Sequence, residues 1–374
     1  MSSIQRRGED AYRAAGVDYA VLDAGKRLAV KAALATSTHM QARGGTALDA
    51  SRGESAFVFK AGEQTLALVL EGLGTKSIIA RAVAEQGRNH FDAVAYDTVA
   101  AIINDLCCVG ARPLVVNAYF STGKPDWFHH EQWYERLIEG WFNACVDAGC
   151  TWGGGESPSL PELVCGEEIE LAGSAVGVIP AGCEPILGER LAAGDEIVLV
   201  ASSGLHANGS SLARMIASDL PDGYETALPS GELFGEALLR PSHMYAGLVD
   251  AVLEAGLPVT YMSHITGHGF LKLMRPARAL TYRISHLLPV PEVLSFLVDR
   301  AGMTPRVAYS TFNMGNGFAI YCAAGSGEKL VEVAREKGLA AIVAGQVESG
   351  GRGVVIEPLD VEFGSEELRL GPDQ

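Results

Sequence analysis

The sequence predicts a two-domain protein, α+β in its first half and a layered α/β unit in its second. Three observations carry this. The 374 residues exceed the roughly 100–200 expected of one domain. Apolar runs of strand length alternate with amphipathic runs of helical length along the whole chain. The pattern breaks near residues 181–193, where Ala181-Gly182-Cys183-Glu184-Pro185 interrupts it, and this divides the chain into residues 1–185 and 186–374.

The elements follow in order. Residues 1–40 read as polar helix, and 41–55, rich in Gly, Ser and Arg, as a mobile loop. Residues 65–70 form an apolar strand that runs into Glu71-Gly72-Leu73-Gly74-Thr75-Lys76. An apolar helix is expected at 93–109, a strand at 113–120 and a long amphipathic helix at 130–149, with His129 and His130 as its surface cap. The glycine loop 153–155 comes next, then a strand with period-two alternation at 168–179. In the second half a strand at 197–201, a loop at 202–209 and a helix at 210–218 open the new unit. Helices cover about 234–256, glycine clusters fall at 264–270 and 311–317, and strand, helix and strand close the layer at 318–323, 327–338 and 341–347.

Composition narrows the function. Hydrophobic residues at 48% and charged residues at 20% describe an ordinary globular chain. The 44 glycines are clustered, as where backbone approaches a ligand. A net charge of −16 repels phosphate backbones and anionic lipid, which disfavours nucleic-acid and membrane partners. The seven cysteines are odd in number and lack the two-residue spacing of a zinc or redox motif. They read as reduced core residues, which with the absence of an apolar leader points to the cytoplasm.

Five segments carry candidate chemistry. Glu71-Gly72-Leu73-Gly74-Thr75-Lys76 offers bare amides, a hydroxyl and an ammonium at a strand end, which suits phosphate, with Glu71 as a metal-ligand carboxylate. Thr75 separates Gly74 from Lys76, so this is not a Walker A loop, and a tight strand-to-helix turn explains it equally well. The helix at 93–109 is apolar except for Asp97, Thr98, Asn104 and Asp105. Asp97 and Asn104 lie within about 20° of one helical face, and Asp105 about 80° further round. Two carboxylates and an amide on a buried helix are costly unless paired or metal-bound. Oxygen ligands suit Mg²⁺; a capping Asp with one structural salt bridge is the alternative. Gly154, Gly155 and Glu156 place a carboxylate beside accessible backbone. Ser203-Gly204-Leu205-His206-Ala207-Asn208 joins a strand to a helix, where His206 and Asn208 could orient a ligand or move a proton. His264-Ile265-Thr266-Gly267-His268-Gly269 could hold a phosphate or ribose through Thr266 and the glycine amides, with His268 as filler.

Taken in order, these segments resemble the phosphoribosylformylglycinamidine cyclo-ligase (aminoimidazole ribonucleotide synthetase) family. The likeness runs from Tyr12-Arg13-Ala14-Ala15-Gly16-Val17-Asp18 to the strand near Ile356, and includes Gly110-Ala111-Arg112-Pro113 and Thr311-Phe312-Asn313-Met314-Gly315. The resemblance implies a homodimer whose N-terminal domains share a β-barrel flanked by helices, with C-terminal α/β layers packed against it. It implies ATP and Mg²⁺, a small-molecule ribonucleotide substrate, and phosphorylation of a formyl amide oxygen before imidazole ring closure. Carried over residue by residue, Gly72, Gly74, Thr75, Lys76, Asp97, Asn104, Gly154, Gly155 and Glu156 would bind nucleotide. Glu71, Asp97, Asp105 and Glu156 would hold Mg²⁺. Ser203, Gly204, His206, Asn208, Thr266 and Gly267 would meet the substrate, with His206, Lys76 and Asn208 catalytic. Several positions depart from the family: Leu70-Glu71 for Thr-Asp, Ser159 for a Glu, Leu205-His206-Ala207-Asn208-Gly209-Ser210 for Pro-His-Ser-Asn-Gly-Tyr, His268 for a Gly, and Glu170 for an Asp. A divergent enzyme, or a paralogue acting on another amide or ribonucleotide, would show this pattern; retention of Lys76, Asp97, Asp105, Glu156 and His206 argues against a nucleotide-binding homologue without turnover.

Overall fold

The computed structural model describes Gly16 and residues 19–368. The rest of the 12–18 segment, and the first part of the 1–40 helix, lie outside the described residues. In chain order the elements are α1 (Tyr19–Ala35), α2 (Ser37–Gln41), β1 (Gly45–Ala47), β2 (Phe57–Ala61), β3 (Gln64–Gly72), α3 (Lys76–Glu85), α4 (Phe91–Cys107), β4 (Arg112–Thr122), α5 (Glu131–Ala148), β5 (Thr151–Glu156) and β6 (Ile169–Val178). The second half adds β7 (Glu196–Ala201), α6 (Ser210–Asp219), α7 (Phe234–Leu238), α8 (Ala246–Glu254), β8 (Val259–His264), β9 (Leu280–Ile284), α9 (Glu292–Ala301), α10 (Pro305–Tyr309), β10 (Asn316–Cys322), α11 (Gly327–Glu336), β11 (Ala341–Ser349), β12 (Gly353–Ile356) and β13 (Val361–Gly364).

Two mixed sheets result. The first runs β1-β2-β3-β6-β4-β5, antiparallel except for the parallel pair β4 and β5. It is open within the chain, with β1 and β5 as edges. The second runs β13-β12-β9-β11-β7-β10-β8, antiparallel except for the parallel pair β9 and β12. Alternation along β3 buries Ala67 and Val69 against α4, and sends Leu68 and Leu70 to the other face, 41% and 76% exposed. In β6, Ile169, Leu171 and Ala175 point into the same core.

Helix α4 is the axis of the N-terminal domain. It packs on β3, β4 and β6, and on its other side against α5. The α4–α5 approach is close because residue 140 is glycine: a Cβ there would collide with the Asp92 carbonyl. Helix α5 ends on Gly149 at φ 65°, with Gly149 N–H donating to Val146 O at 3.1 Å and Cys150 N–H to Cys145 O at 3.0 Å, the bonds that close a Schellman turn.

Several expectations change. Residues 41–55 are not a loose loop: they contain β1 and a 3₁₀ turn, and Arg275 Nε donates to Gly53 O at 2.9 Å while Tyr261 OH donates to Glu54 at 2.6 Å. The glycines at 153–155 lie in β5, because β4 offers a parallel partner. Gly155 fits there because a Cβ would strike Ala118 O. The region 234–256 is two helices separated around Pro241, which cannot supply a helical N–H. His130 precedes α5 without a side-chain capping bond and stacks on Trp133 at 4.5 Å. Cys165 and Cys183 are exposed rather than core.

Candidate functional site in the cleft between the two domains

The phosphate-like segment closes β3 and opens α3. Gly74 takes φ 71°, and Thr75 Oγ1 meets Ser211 Oγ of α6 at 3.0 Å. Lys76 turns inward and is 0% exposed. Its Nζ donates to His206 O at 2.8 Å and forms an ion pair with Asp97. The second Asp97 oxygen accepts the Ser242 N–H at 2.7 Å. Lys76 and Asp97, expected from the resemblance to meet phosphate and Mg²⁺, are here paired with each other in the domain seam.

Asn104 is also spent on structure. Its Nδ2 donates to His243 O at 2.9 Å, and its Oδ1 accepts the Tyr245 N–H at 2.8 Å. The shared face of Asp97 and Asn104 thus stitches residues 242–245 of the second domain onto α4. His206 lies behind the cleft. It is 3% exposed, has φ 58°, and its Nε2 accepts the Ser203 N–H at 3.2 Å. Burial, then the neighbouring His264, His243 and Lys76, push its pKa well below the usual imidazole range. Ser203 Oγ donates to Pro241 O at 2.6 Å, and Gly204 O accepts from Asn313 Nδ2 at 3.0 Å.

In front of this seam lies a cleft of about 170 Å³. Glu71 and Gly72 line it from the end of β3, Asp105 from α4, Asn208 from the loop before α6, and His264, Thr266, Gly267 and Lys272 from the end of β8 and beyond. Pairing of β10 with β8 sets Phe318 opposite His264 and fixes the strand end. Asp105 Oδ1 and His264 Nδ1 are 2.7 Å apart and both residues are buried. Burial lowers the His264 pKa, more than the Asp105 bond raises it. Burial would raise the Asp105 pKa, but the His264 bond and the Lys272 and Arg275 charges bring it below its ordinary value. The pair is therefore a carboxylate holding a neutral imidazole through Nδ1–H. Asn208 Nδ2 donates to Thr311 O at 2.8 Å. Lys272 donates to Thr266 Oγ1.

The cleft gathers Glu71, Gly72, Asp105, Asn208, Thr266 and Gly267 from the sequence-predicted set. It leaves out Gly74, Thr75, Lys76, Asp97, Asn104, Ser203, Gly204 and His206, which form the seam, and Gly154, Gly155 and Glu156, exposed on the edge strand β5. Among the described residues no three His, Cys, Asp or Glu side chains are grouped as a metal cage. Sequence reasoning missed His264 and Lys272. His264 was discoverable as a polar residue ending a strand before Thr266-Gly267; Lys272 sits in a 3₁₀ turn, Gly269–Met274, with no periodic signal.

The family described as AIR synthase related protein, N-terminal domain, matches residues 53–179, and its C-terminal counterpart matches residues 192–357. A phosphoribosylformylglycinamidine cyclo-ligase of Anaeromyxobacter sp. (strain Fw109-5) is 38% identical over 293 residues, 77% of this chain and 82% of that protein. One of Methanobrevibacter smithii is 30% identical over 286 residues, 76% of this chain and 80% of that protein. Among solved structures, the hydrogenase maturation protein HypE in complex with ATP shares the fold at TM-score 0.58 and 17% identity, over 82% of this chain and 86% of that one. On these matches the chain belongs to the phosphoribosylformylglycinamidine cyclo-ligase family.

Proposed function

We propose that the protein closes the imidazole ring of 5-aminoimidazole ribonucleotide, using ATP to activate the formyl amide oxygen of formylglycinamidine ribonucleotide. The observation that carries this reading is the inter-domain cleft, where a carboxylate-held imidazole faces hydroxyl, amide and ammonium donors. The names of the relatives and the ATP complex of HypE support it.

The donor set fits a phosphate. Lys272, Thr266, Asn208 and the Gly267 backbone supply the positive end, and phosphoryl transfer depends on such positioning and charge neutralisation more than on covalent catalysis. About 170 Å³ is below the ~300–1,000 Å³ of whole-ligand pockets. It suits the reacting phosphoryl and amide, with the rest of both molecules outside. Mg²⁺ fits as well, because it typically binds through one or two carboxylates and substrate phosphates. Glu71 and Asp105 line the cleft, while Asp97 is held by Lys76. When bound, ATP with Mg²⁺ supplies the phosphoryl group that turns the amide oxygen into a leaving group. Asn208 and Thr266 orient the substrate amide, Glu71 faces its N–H groups, and the two domain walls exclude water.

Homodimerisation through the open sheet belongs to the same proposal. Leu68, Leu70 and Leu114 stand exposed on the face that α4 does not cover, and a second copy is the partner expected to bury such a patch. No helix among the described residues is long and apolar enough to cross a membrane; the cytoplasm is the proposed location. One observation favours a shifted substrate: His268, where the family has glycine, holds φ 69° beside Gly267 of the cleft.

The test is ATP turnover by the purified protein with formylglycinamidine ribonucleotide, following aminoimidazole ribonucleotide by its diazo colour. Equimolar ADP and product are expected. ADP without product would move the reading to another amide-bearing ribonucleotide.

A further inference from the structure

We propose that Lys272 is the cation that holds an anionic phosphoryl oxygen in the cleft, the part that the sequence assigns to Lys76. This deepens the proposed function and rests on it for the identity of the reaction, but not for the binding chemistry.

Lys76 cannot take this role where it stands. It is 0% exposed, and its ammonium is held between Asp97 and His206 O. Lys272 is placed differently. Its residue is 7% exposed and lines the cleft beside Thr266 and Gly267. An ammonium has three N–H donors, and one goes to Thr266 Oγ1. None of the ion pairs among the described residues uses Lys272, whereas Asp105 is paired with His264. Burial pulls the Lys272 pKa down; the Asp105 charge opposes that pull, the Arg275 charge adds to it, and the Glu71 charge opposes it.

The cleft lining therefore carries groups of both signs: the Glu71 carboxylate and the Asp105–His264 pair, and with them Lys272, Thr266 and the Gly267 backbone, a donor set of the kind that binds phosphate. Among the described residues this ammonium donates to the Thr266 hydroxyl alone; a buried cation needs more than that, and an anionic oxygen supplies it.

The test uses the full-length chain and two probes, inorganic triphosphate for the nucleotide and ribose 5-phosphate for the ribonucleotide. Calorimetric titration of the wild type, Lys272→Gln and Lys272→Arg is expected to show at least a tenfold loss of affinity in Lys272→Gln for one of the probes, and a loss within threefold in Lys272→Arg. The probe affected identifies the source of the phosphate. Trace acetylation of the wild type, read by peptide mass spectrometry, needs no variant: the same probe should slow labelling of Lys272 at least fivefold. Unchanged affinity in folded Lys272→Gln, or unprotected Lys272, overturns the proposal. In the turnover assay, loss of phosphate binding in Lys272→Gln with no aminoimidazole ribonucleotide made by the wild type would sink the cyclo-ligase reading alone. Wild-type product formation with unaltered kcat and KM in Lys272→Gln would sink this inference alone.

Discussion

Replacing Lys76 with methionine keeps most of the side-chain volume and removes the charge. In the native protein both members of the Lys76–Asp97 pair are 0% exposed, so the variant leaves a carboxylate buried without its counter-ion. Breaking a buried pair from one side costs about 3–5 kcal/mol. His206 O also loses its donor at 2.8 Å, a cost contained largely within the same range. Stabilities of about 5–15 kcal/mol are usual, so the loss is a large fraction of the whole. At roughly 2–4 °C per kcal/mol for a unit of this size, the melting midpoint of Lys76→Met should fall by about 6–20 °C. Asp97→Asn neutralises the other partner and retains an oxygen for the Ser242 N–H, which Asp97 accepts at 2.7 Å. The double variant Lys76→Met with Asp97→Asn should therefore be more stable than Lys76→Met alone, by about 1–3 kcal/mol. Urea unfolding of the four proteins, with equal m-values, measures the cycle. A Lys76→Met protein as stable as the wild type would refute the buried-pair reasoning and return Lys76 to the ligand.

Other outcomes follow from the same geometry. His206 and His264 have folded pKa values below the ordinary 6.5, so between the folded pKa and 6.5 the unfolded chain binds more protons and stability rises with pH. The urea midpoint should accordingly drop as pH falls from 7 to 5, and Asp105, whose folded pKa is depressed, adds stability that is lost at still lower pH; a flat profile would contradict the neutral imidazoles. Gly140→Ala should destabilise by about 1–3 kcal/mol, because its Cβ would meet the Asp92 carbonyl, and an unchanged melting midpoint would mean that α4 and α5 are not so close. Leu70→Asp, at a position 76% exposed, should shift sedimentation towards the monomer without lowering the melting midpoint of dilute protein; an unaltered sedimentation coefficient would remove the open sheet as the dimer face.

Much of this arrangement is legible in the sequence, and what is not has a physical reason. The polar residues of α4 stand out against an apolar helix, and Asp97, Asn104 and Asp105 are all buried and hydrogen-bonded. Their partners were not readable: Lys76 lies 21 residues before Asp97, the backbone at Tyr245 lies 141 after Asn104, and His264 lies 159 after Asp105. Helical spacing tells which residues share a face, not whether a ligand or another domain covers it. The glycines of β5 read as a loop because a parallel edge strand depends on β4, with Val115 opposite Thr151, and glycine alone carries no strand signal. Lys272 escaped because a six-residue 3₁₀ turn, Gly269–Met274, has no period long enough to read. Glu71, Asn208, Thr266 and Gly267 line the cleft, as strand ends and glycine turns are where backbone and short polar side chains reach one.

The seam also sets a timetable for biosynthesis. When α4 leaves the ribosome its apolar faces can collapse onto β3, β4 and β6 at once, but Asp97 must wait for the Ser242 N–H, 145 residues later. At about 5–20 residues per second, that interval lasts roughly 7–30 s. During it the nascent N-terminal domain presents a helix face whose carboxylate and amide have lost water from their flanks and have not yet met residues 242–245. The first half of the chain thus reaches its native state as a passenger of the second, and a ribosome stalled between the domains would display the species that chaperones are built to hold.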